Sequence, residues 1–196
     1  MSGPGGPLAN YALNVPSWTD LAAGPDGSLY WSVGSEVLRW DPNNPAAGVV
    51  LFAGISRSPF SGYNGDGIPA TNALLNSATS IAVASDGSVY IADYHNFRIR
   101  KVSPGGLIFT IAGNGQDCPN AKTCGNGTLA TQTPIDFGLP SQLRVGQDGT
   151  VYFTEATDGF LSGGWLLRKI TPQGILTTIA GGGSAAVADG AVAPMS

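Results

Sequence analysis

Asp86-Gly87-Ser88-Val89-Tyr90-Ile91-Ala92-Asp93 runs through Tyr94-His95-Asn96-Phe97 into Arg98-Ile99-Arg100-Lys101-Val102-Ser103-Pro104, and this pattern occurs three times in the chain. Its Asp-Gly pair recurs as Asp26-Gly27 and Asp148-Gly149, at spacings of 60 and 62 residues. Each pair precedes the same short apolar run: Ser28-Leu29-Tyr30-Trp31, Ser88-Val89-Tyr90-Ile91 and Thr150-Val151-Tyr152-Phe153. Five residues before each Asp stands Leu21, Ile81 or Leu143. Later in each unit come Val37-Leu38-Arg39-Trp40, Ile99-Arg100-Lys101-Val102 and Leu167-Arg168-Lys169-Ile170. Each unit closes on Leu51-Phe52-Ala53-Gly54, Thr110-Ile111-Ala112-Gly113 or Thr178-Ile179-Ala180-Gly181. Self-similarity at such a period marks a repeat architecture, in which each unit buries its faces on its neighbours.

Within a unit, Ile81-Ala82-Val83 and Ser88 to Ala92 flank Asp86-Gly87, which is expected to form a two-residue hairpin turn. Phe97 to Val102 supplies a third strand and Leu107 to Ala112 a fourth. Four short antiparallel strands repeated in this way describe the blades of a β-propeller. The fold expectation is all-β, with about three four-stranded blades and negligible helix. Tyr30, Tyr90 and Tyr152, four residues after each turn aspartate, are expected to pack between blades.

Composition agrees with a turn-rich all-β chain. Of 196 residues, 29 are Gly and 14 Pro, 42% are hydrophobic and only 11% charged, against roughly 25% charged in an average soluble domain. The net charge of −4 and a single tight basic cluster, Arg98, Arg100 and Lys101, leave too few cations to neutralise a run of phosphates, which argues against nucleic-acid binding. No window approaches the apolar length of a membrane-spanning helix. Met1-Ser2-Gly3-Pro4-Gly5-Gly6-Pro7 lacks the basic-then-apolar pattern of a signal peptide, which bears on localisation only if the natural chain begins there.

Tyr90-Ile91-Ala92-Asp93-Tyr94-His95-Asn96-Phe97-Arg98-Ile99-Arg100-Lys101-Val102 resembles the NHL-repeat pattern Y-I-A-D-x-x-N-x-R-I-R-K-V. Gly65-Asp66-Gly67-Ile68-Pro69-Ala70-Thr71-Asn72-Ala73-Leu74-Leu75-Asn76 is similar to the G-D-G-G-P-A-T-x-A-x-L-N loop of the NHL branch found in teneurins and bacterial Rhs/YD-repeat proteins. The flanking units drift: Ser32-Val33-Gly34 replaces the Ala92-Asp93 region, and unit three carries a longer Thr157 to Gly164 insertion. The resemblance implies one NHL propeller segment over 1–196, with modules at 3–64, 65–124 and 125–187 and a further repeat opening at 188–196. Degraded copies of the loop stand at Gly3 to Leu13, at Gly125-Asn126-Gly127-Thr128-Leu129-Ala130-Thr131 and at Ala188 to Ala193, with Asp189. Three blades are fewer than the four to eight of a closed ring. Either the chain is a piece of a larger propeller, the preferred reading because Met1-Ser2 replaces residues of a family loop, or two chains close a six-bladed ring.

The resemblance implies a non-enzymatic scaffold or recognition module of a larger secreted or cell-surface protein. The alternatives are a metal-dependent propeller hydrolase or lyase, and a small stand-alone binding protein that dimerises into a ring. No catalytic, cofactor or metal residue is expected, because the chain has one histidine, His95, and two cysteines. His95 would need a nearby nucleophile to act, and the repeat places it in an exposed turn. Cys118 and Cys124 suit a disulfide in an oxidising compartment, with free thiols as the alternative; cysteines are common in the corresponding teneurin loops. Asp66, Asn126 and Asp189 stand in Gly-flanked turns, for which side-chain-to-backbone turn bonds are a simpler account than calcium. Arg98 and Arg100 are expected to pair with Asp93 in a structural role beside Asn96. Phe60, Tyr63 and Trp165, in loops on one propeller face, are the candidate contacts for a protein or glycan partner.

Overall fold

The computed structural model describes residues 20–55, 60–137, 141–157 and 164–181. The loop copies at Gly3 to Leu13 and Ala188 to Ala193, with Asp189, lie outside these residues, as does most of the Thr157 to Gly164 insertion. The first sheet holds β1 (Leu21–Ala23), β2 (Leu29–Val33), β3 (Glu36–Trp40) and β4 (Val49–Ala53) in sequential antiparallel order. The second holds β5 (Ile68–Pro69), β6 (Ala78–Val83), β7 (Val89–Asp93), β8 (Arg98–Val102) and β9 (Leu107–Ala112), in the order β5-β9-β8-β7-β6. The third repeats this with β10 (Thr128–Leu129), β11 (Leu143–Val145), β12 (Val151–Ala156), β13 (Trp165–Ile170) and β14 (Ile175–Gly181), in the order β10-β14-β13-β12-β11. Each sheet is a propeller blade, and the only helical elements among the described residues are three-residue 3₁₀ turns.

Two blades gain a strand that the four-stranded reading lacks. Ile68–Pro69 pairs with β9 and Thr128–Leu129 with β14, so the connector between blades first caps the outer edge of its own blade. Two residues make each edge short, and in β5 Pro69 also removes a backbone donor for further pairing. The 3₁₀ turn after each short strand then reaches the preceding blade: Gly54 N–H donates to Ala70 O (3.0 Å) and Gly113 N–H to Ala130 O (2.9 Å). Gly54, Gly113 and Gly181 take φ of +92°, +84° and +101°, and a Cβ at each would run into the carbonyl of Ser35, Phe97 or Trp165. The glycine ending every unit is therefore a geometric necessity.

The hairpin turn differs from the two-residue expectation. Ala84 N–H donates to Ser88 O (2.9 Å) and Gly87 N–H to Ala84 O (3.0 Å), with matching bonds at Gly24/Ser28 and Gly146/Thr150. This is a three-residue loop in which only Gly27, Gly87 and Gly149 adopt positive φ. The aspartate stays at negative φ because its carboxylate accepts the N–H two residues on: Asp26 from Ser28, Asp86 from Ser88, Asp148 from Thr150, at 2.8–3.0 Å. Those bonds, with the Ser or Thr hydroxyl, hold all three carboxyls below their usual range.

The core lies between blades. Ile81, Val89, Ile91, Val102 and Ile108 meet Tyr30, Val37 and Ala53 of the first blade, with Ala73 and Leu75 of the connector filling the gap. The opposite face of the middle blade carries Tyr90, Ala92, Ile99 and Ala112, packed against Leu143, Val151, Phe153 and the connector residues Ile135 and Phe137. Each of the Val, Leu, Ile and Phe side chains stabilises by roughly 1.5–3 kcal/mol on burial. Tyr30 and Tyr90 are each 5% exposed; Tyr152, with no described blade beyond it, is half-buried.

Candidate functional site

Antiparallel order sends the connectors and the turns between second and third strands to one end of the blades. The Asp-Gly turns go to the other. The connector end is organised by two buried arginines. Arg100 is fully buried; its Nη2 donates to Gly65 O (2.8 Å) and Asp66 Oδ1 (3.1 Å), while Nη1 lies 3.5 Å from Asp93 Oδ2. Asp93 also accepts the Asn76 N–H (2.8 Å) and the Asn96 amide (2.8 Å), and that amide donates to Gly62 O as well. Connector, turn and strand are thus tied at one point. Burial pushes the Asp93 carboxyl up to about 6, against the pull of these donors.

The third blade repeats the arrangement with different residues. Arg168 Nη1 donates to Glu155 Oε2 (2.9 Å) and Ala121 O (3.1 Å), and its Nη2 to the carbonyls of Cys124 and Gly125. Asp136 N–H donates to Glu155 Oε1 at 2.9 Å. Burial raises the Glu155 carboxyl to about 7 and lowers Arg168 from its ordinary value. Cys118 and Cys124 form a disulfide, Cα–Cα 6.1 Å, that closes the loop over this pair; Cys118 is buried with Ala121 and Leu166. In the first blade the corresponding positions are Val33 and Leu38.

The expected Arg98–Asp93 pair does not form. Arg98 faces outward, donating to Asn96 O (2.8 Å) and Asn114 O (3.1 Å), with its guanidinium 4.0 Å from the Tyr63 ring centre and Arg100 at 4.9 Å. Local turn bonds do not explain Asp66 or Asn126 either. Asp66 partners Arg100 and the Thr110 hydroxyl (3.0 Å), and Asn126 Oδ1 accepts the N–H of Thr178, 52 residues away. Glu155 and its pairing with Arg168 were legible only by aligning the third unit against the middle one.

Tyr63 is thus the centre of a cation-backed aromatic site at the connector end, 40% exposed, with Phe60 73% exposed in the same loop. Trp165, 41% exposed, opens β13 on the next blade and is not part of the Tyr63 cluster. His95 is exposed, with Nδ1 3.0 Å from Ser77 Oγ; Ser77 itself has φ +60°. At the opposite end, clefts of about 360 and 580 Å³ open between successive blades. Among the described residues no group of three or more His, Cys, Asp and Glu is placed to hold a metal ion.

A Teneurin NHL domain family model matches residues 55–103. Human Teneurin-4 is 32% identical over 145 residues, 70% of this chain and 5% of the relative. Chicken (Gallus gallus) Teneurin-1 is 26% identical over 172 residues, 82% of this chain and 6% of the relative. The chain spans about a twentieth of the length of the curated relatives it matches. Among solved structures, a Bacteroides thetaiotaomicron protein of unknown function superimposes with a TM-score of 0.55 at 17% identity, over 82% of this chain and 37% of that one. A gluconolactonase from Xanthomonas campestris gives 0.51 at 14% identity, over 85% and 48%. At these identities the likeness to the solved structures is one of fold alone.

Proposed function

Because the chain is an NHL-repeat domain of the teneurin type, we propose that it is a non-enzymatic recognition module working at the cell surface or outside the cell, engaging a protein or glycan partner through its connector end. The observation that carries the reading is the Tyr63 site. A half-exposed ring backed by Arg98 at 4.0 Å and anchored by the fully buried Arg100 offers a pre-ordered aromatic contact, which loses little side-chain entropy on binding. The Cys118–Cys124 disulfide supports an oxidising compartment. An array of extracellular proteins and glycans probed with the chain and with Tyr63→Ser and Trp165→Ser tests the reading. Binding reduced by either variant, with an unchanged melt, supports it; binding indifferent to both contradicts it.

A hydrolase is the second reading, and the Ser77–His95 contact is what favours it. A serine nucleophile needs a base that is itself oriented, and a place for the substrate. Neither inter-blade cleft includes His95. Ester hydrolysis that is lost in Ser77→Ala would establish this alternative.

A further inference from the structure

The connector that opens the third blade departs from the one that opens the middle blade. Gly65-Asp66-Gly67-Ile68-Pro69 is replaced by Gly125-Asn126-Gly127-Thr128-Leu129. In the middle blade Asp66 binds Arg100 (3.1 Å) and the Thr110 hydroxyl (3.0 Å), and Ile68 packs on the core between blades. In the third blade Arg168 takes Glu155 and the loop carbonyls instead, so position 126 needs no charge, and Asn126 and Thr128 both face solvent. The changes at 126 and 128 together create Asn-Gly-Thr, the acceptor triplet for an N-linked oligosaccharide. No other asparagine of the chain has Ser or Thr two positions on.

We propose that Asn126 is a site of N-glycosylation, a proposal that rests on the reading that the chain works outside the cell. The amide is oriented for it. Asn126 Oδ1 accepts the Thr178 N–H (2.8 Å), which leaves Nδ2 without a partner among the described residues. Other loop asparagines spend that nitrogen on the fold: Asn64 donates to Asn72 O (2.9 Å), Asn96 to Asp93 (2.8 Å) and Asn114 to Gln132 O (3.2 Å). The donor is a lipid-pyrophosphate-linked oligosaccharide. Nδ2 attacks its anomeric carbon, the C–N bond forms as the C–O bond to pyrophosphate breaks, and one Nδ2 proton is released to the transferase. Oδ1 stays a carbonyl oxygen, so the bond to Thr178 survives the modification. Space is available as well, since a Cβ built on Gly127 meets nothing within 4 Å.

The sugar has a place in the logic of the blade. β10 forms the outer edge of the third sheet and pairs with β14 alone. In the middle blade the same edge carries Pro69, which cannot donate to an added strand. In the third blade that position is Leu129, 47% exposed. An oligosaccharide on Asn126, two residues before β10, lies over this edge and keeps another strand from docking, the protection that proline gives the middle blade. The acceptor is also held in place. The Cys118–Cys124 disulfide ends two residues before it, and Arg168 donates to the Cys124 and Gly125 carbonyls.

The chain placed behind a cleavable secretion leader in mammalian cells, and translated in parallel with endoplasmic-reticulum microsomes, tests the proposal. An upward shift in mass by one glycan is expected in both systems. An N-glycan amidase should reverse it and leave an aspartate at position 126 in the peptide map. Asn126→Gln and Thr128→Ala should lose the shift, while Thr128→Ser should keep it, because the transferase requires a hydroxyl at that position. The microsomal readout does not depend on folding, so a variant that fails to fold still reports. A chain that enters the microsomes and stays unmodified at Asn126 overturns the proposal, as does a shift indifferent to Asn126→Gln. Light scattering of the secreted chain before and after amidase treatment tests the edge role: greater association after removal supports it, and equal behaviour overturns it. The leader delivers the chain to the secretory compartment whatever its native destination. An unmodified Asn126 therefore leaves the Tyr63 reading standing, whereas partner binding indifferent to Tyr63→Ser and Trp165→Ser contradicts that reading and not the glycan site.

Discussion

Replacing Arg168 by methionine removes one partner of a fully buried ion pair and leaves Glu155, among the described residues, with the Asp136 N–H as its hydrogen-bond donor. It also strips the carbonyls of Ala121, Cys124 and Gly125 of the guanidinium that joins the disulfide loop to β13. Breaking a buried pair in this way costs about 3–5 kcal/mol, whereas replacing both members by apolar residues is often close to neutral. The chain contains its own template for the second case, since the first blade has Val33 and Leu38 at these positions. Arg168→Met should therefore lower the midpoint of thermal unfolding by on the order of 10 °C for a chain of this size. The double variant Glu155→Val/Arg168→Leu should recover more than half of that loss. Calorimetry with matched urea titrations measures both. A single variant within about 1 kcal/mol of the parent, or a double variant no better than the single, would refute the view that the pair fastens the connector to the blade.

Stability should fall as pH rises from about 4 to 7, because Asp93 and Glu155 have carboxyls raised by burial and the native state binds more protons than the unfolded chain across that window. Below about 4 the trend should reverse, since Asp26, Asp86 and Asp148 are held low by their turn bonds and lose them on protonation; urea midpoints taken between pH 3 and 8 should show the maximum near 4–5. Gly113→Ala should cost about 3 kcal/mol or more, as its φ of +84° and the Phe97 carbonyl both exclude a Cβ, whereas Gly87→Ala, with open space around it, should cost less by the same melt. Reducing Cys118–Cys124 should cost about 2 kcal/mol in the chain-entropy model, and hydrogen exchange should rise first in residues 114–127, which the disulfide and Arg168 hold together.

The blades were legible because the repeat superimposes three noisy copies of one message: Leu21, Ile81 and Leu143 lie in the inner strands, and the closing glycines stand at or just after the ends of the outer ones. The cysteine spacing likewise anticipated the disulfide that forms. The connector was less legible. Its short strand has two residues, below the length at which alternation is visible, and its bonds to β9 and β14 span some forty residues. The hairpin was misread because Asp-Gly favours positive φ at both positions only when the Asp side chain is idle, and here it accepts the N–H two residues on. Arg98 was assigned to Asp93 on proximity in sequence, and the two stand opposite each other across β7 and β8, but the Asp93 carboxylate is taken by the Asn76 N–H, the Asn96 amide and Arg100, while Arg98 turns to the carbonyls of Asn96 and Asn114. Glu155 went unnoticed because it differs from the aspartate that the repeat carries at that position, although its buried role is the same.

The claim that this propeller segment recognises a partner and carries no catalytic metal is tested most directly by crystals of the chain grown with calcium or zinc and measured for anomalous scattering. The account predicts no cation held by three or more side chains along the axis that the inner strands β1, β6 and β11 face. A cation bound there by three or more side chains, close to a cleft able to admit a small molecule, would contradict it and establish the metal-dependent enzyme instead.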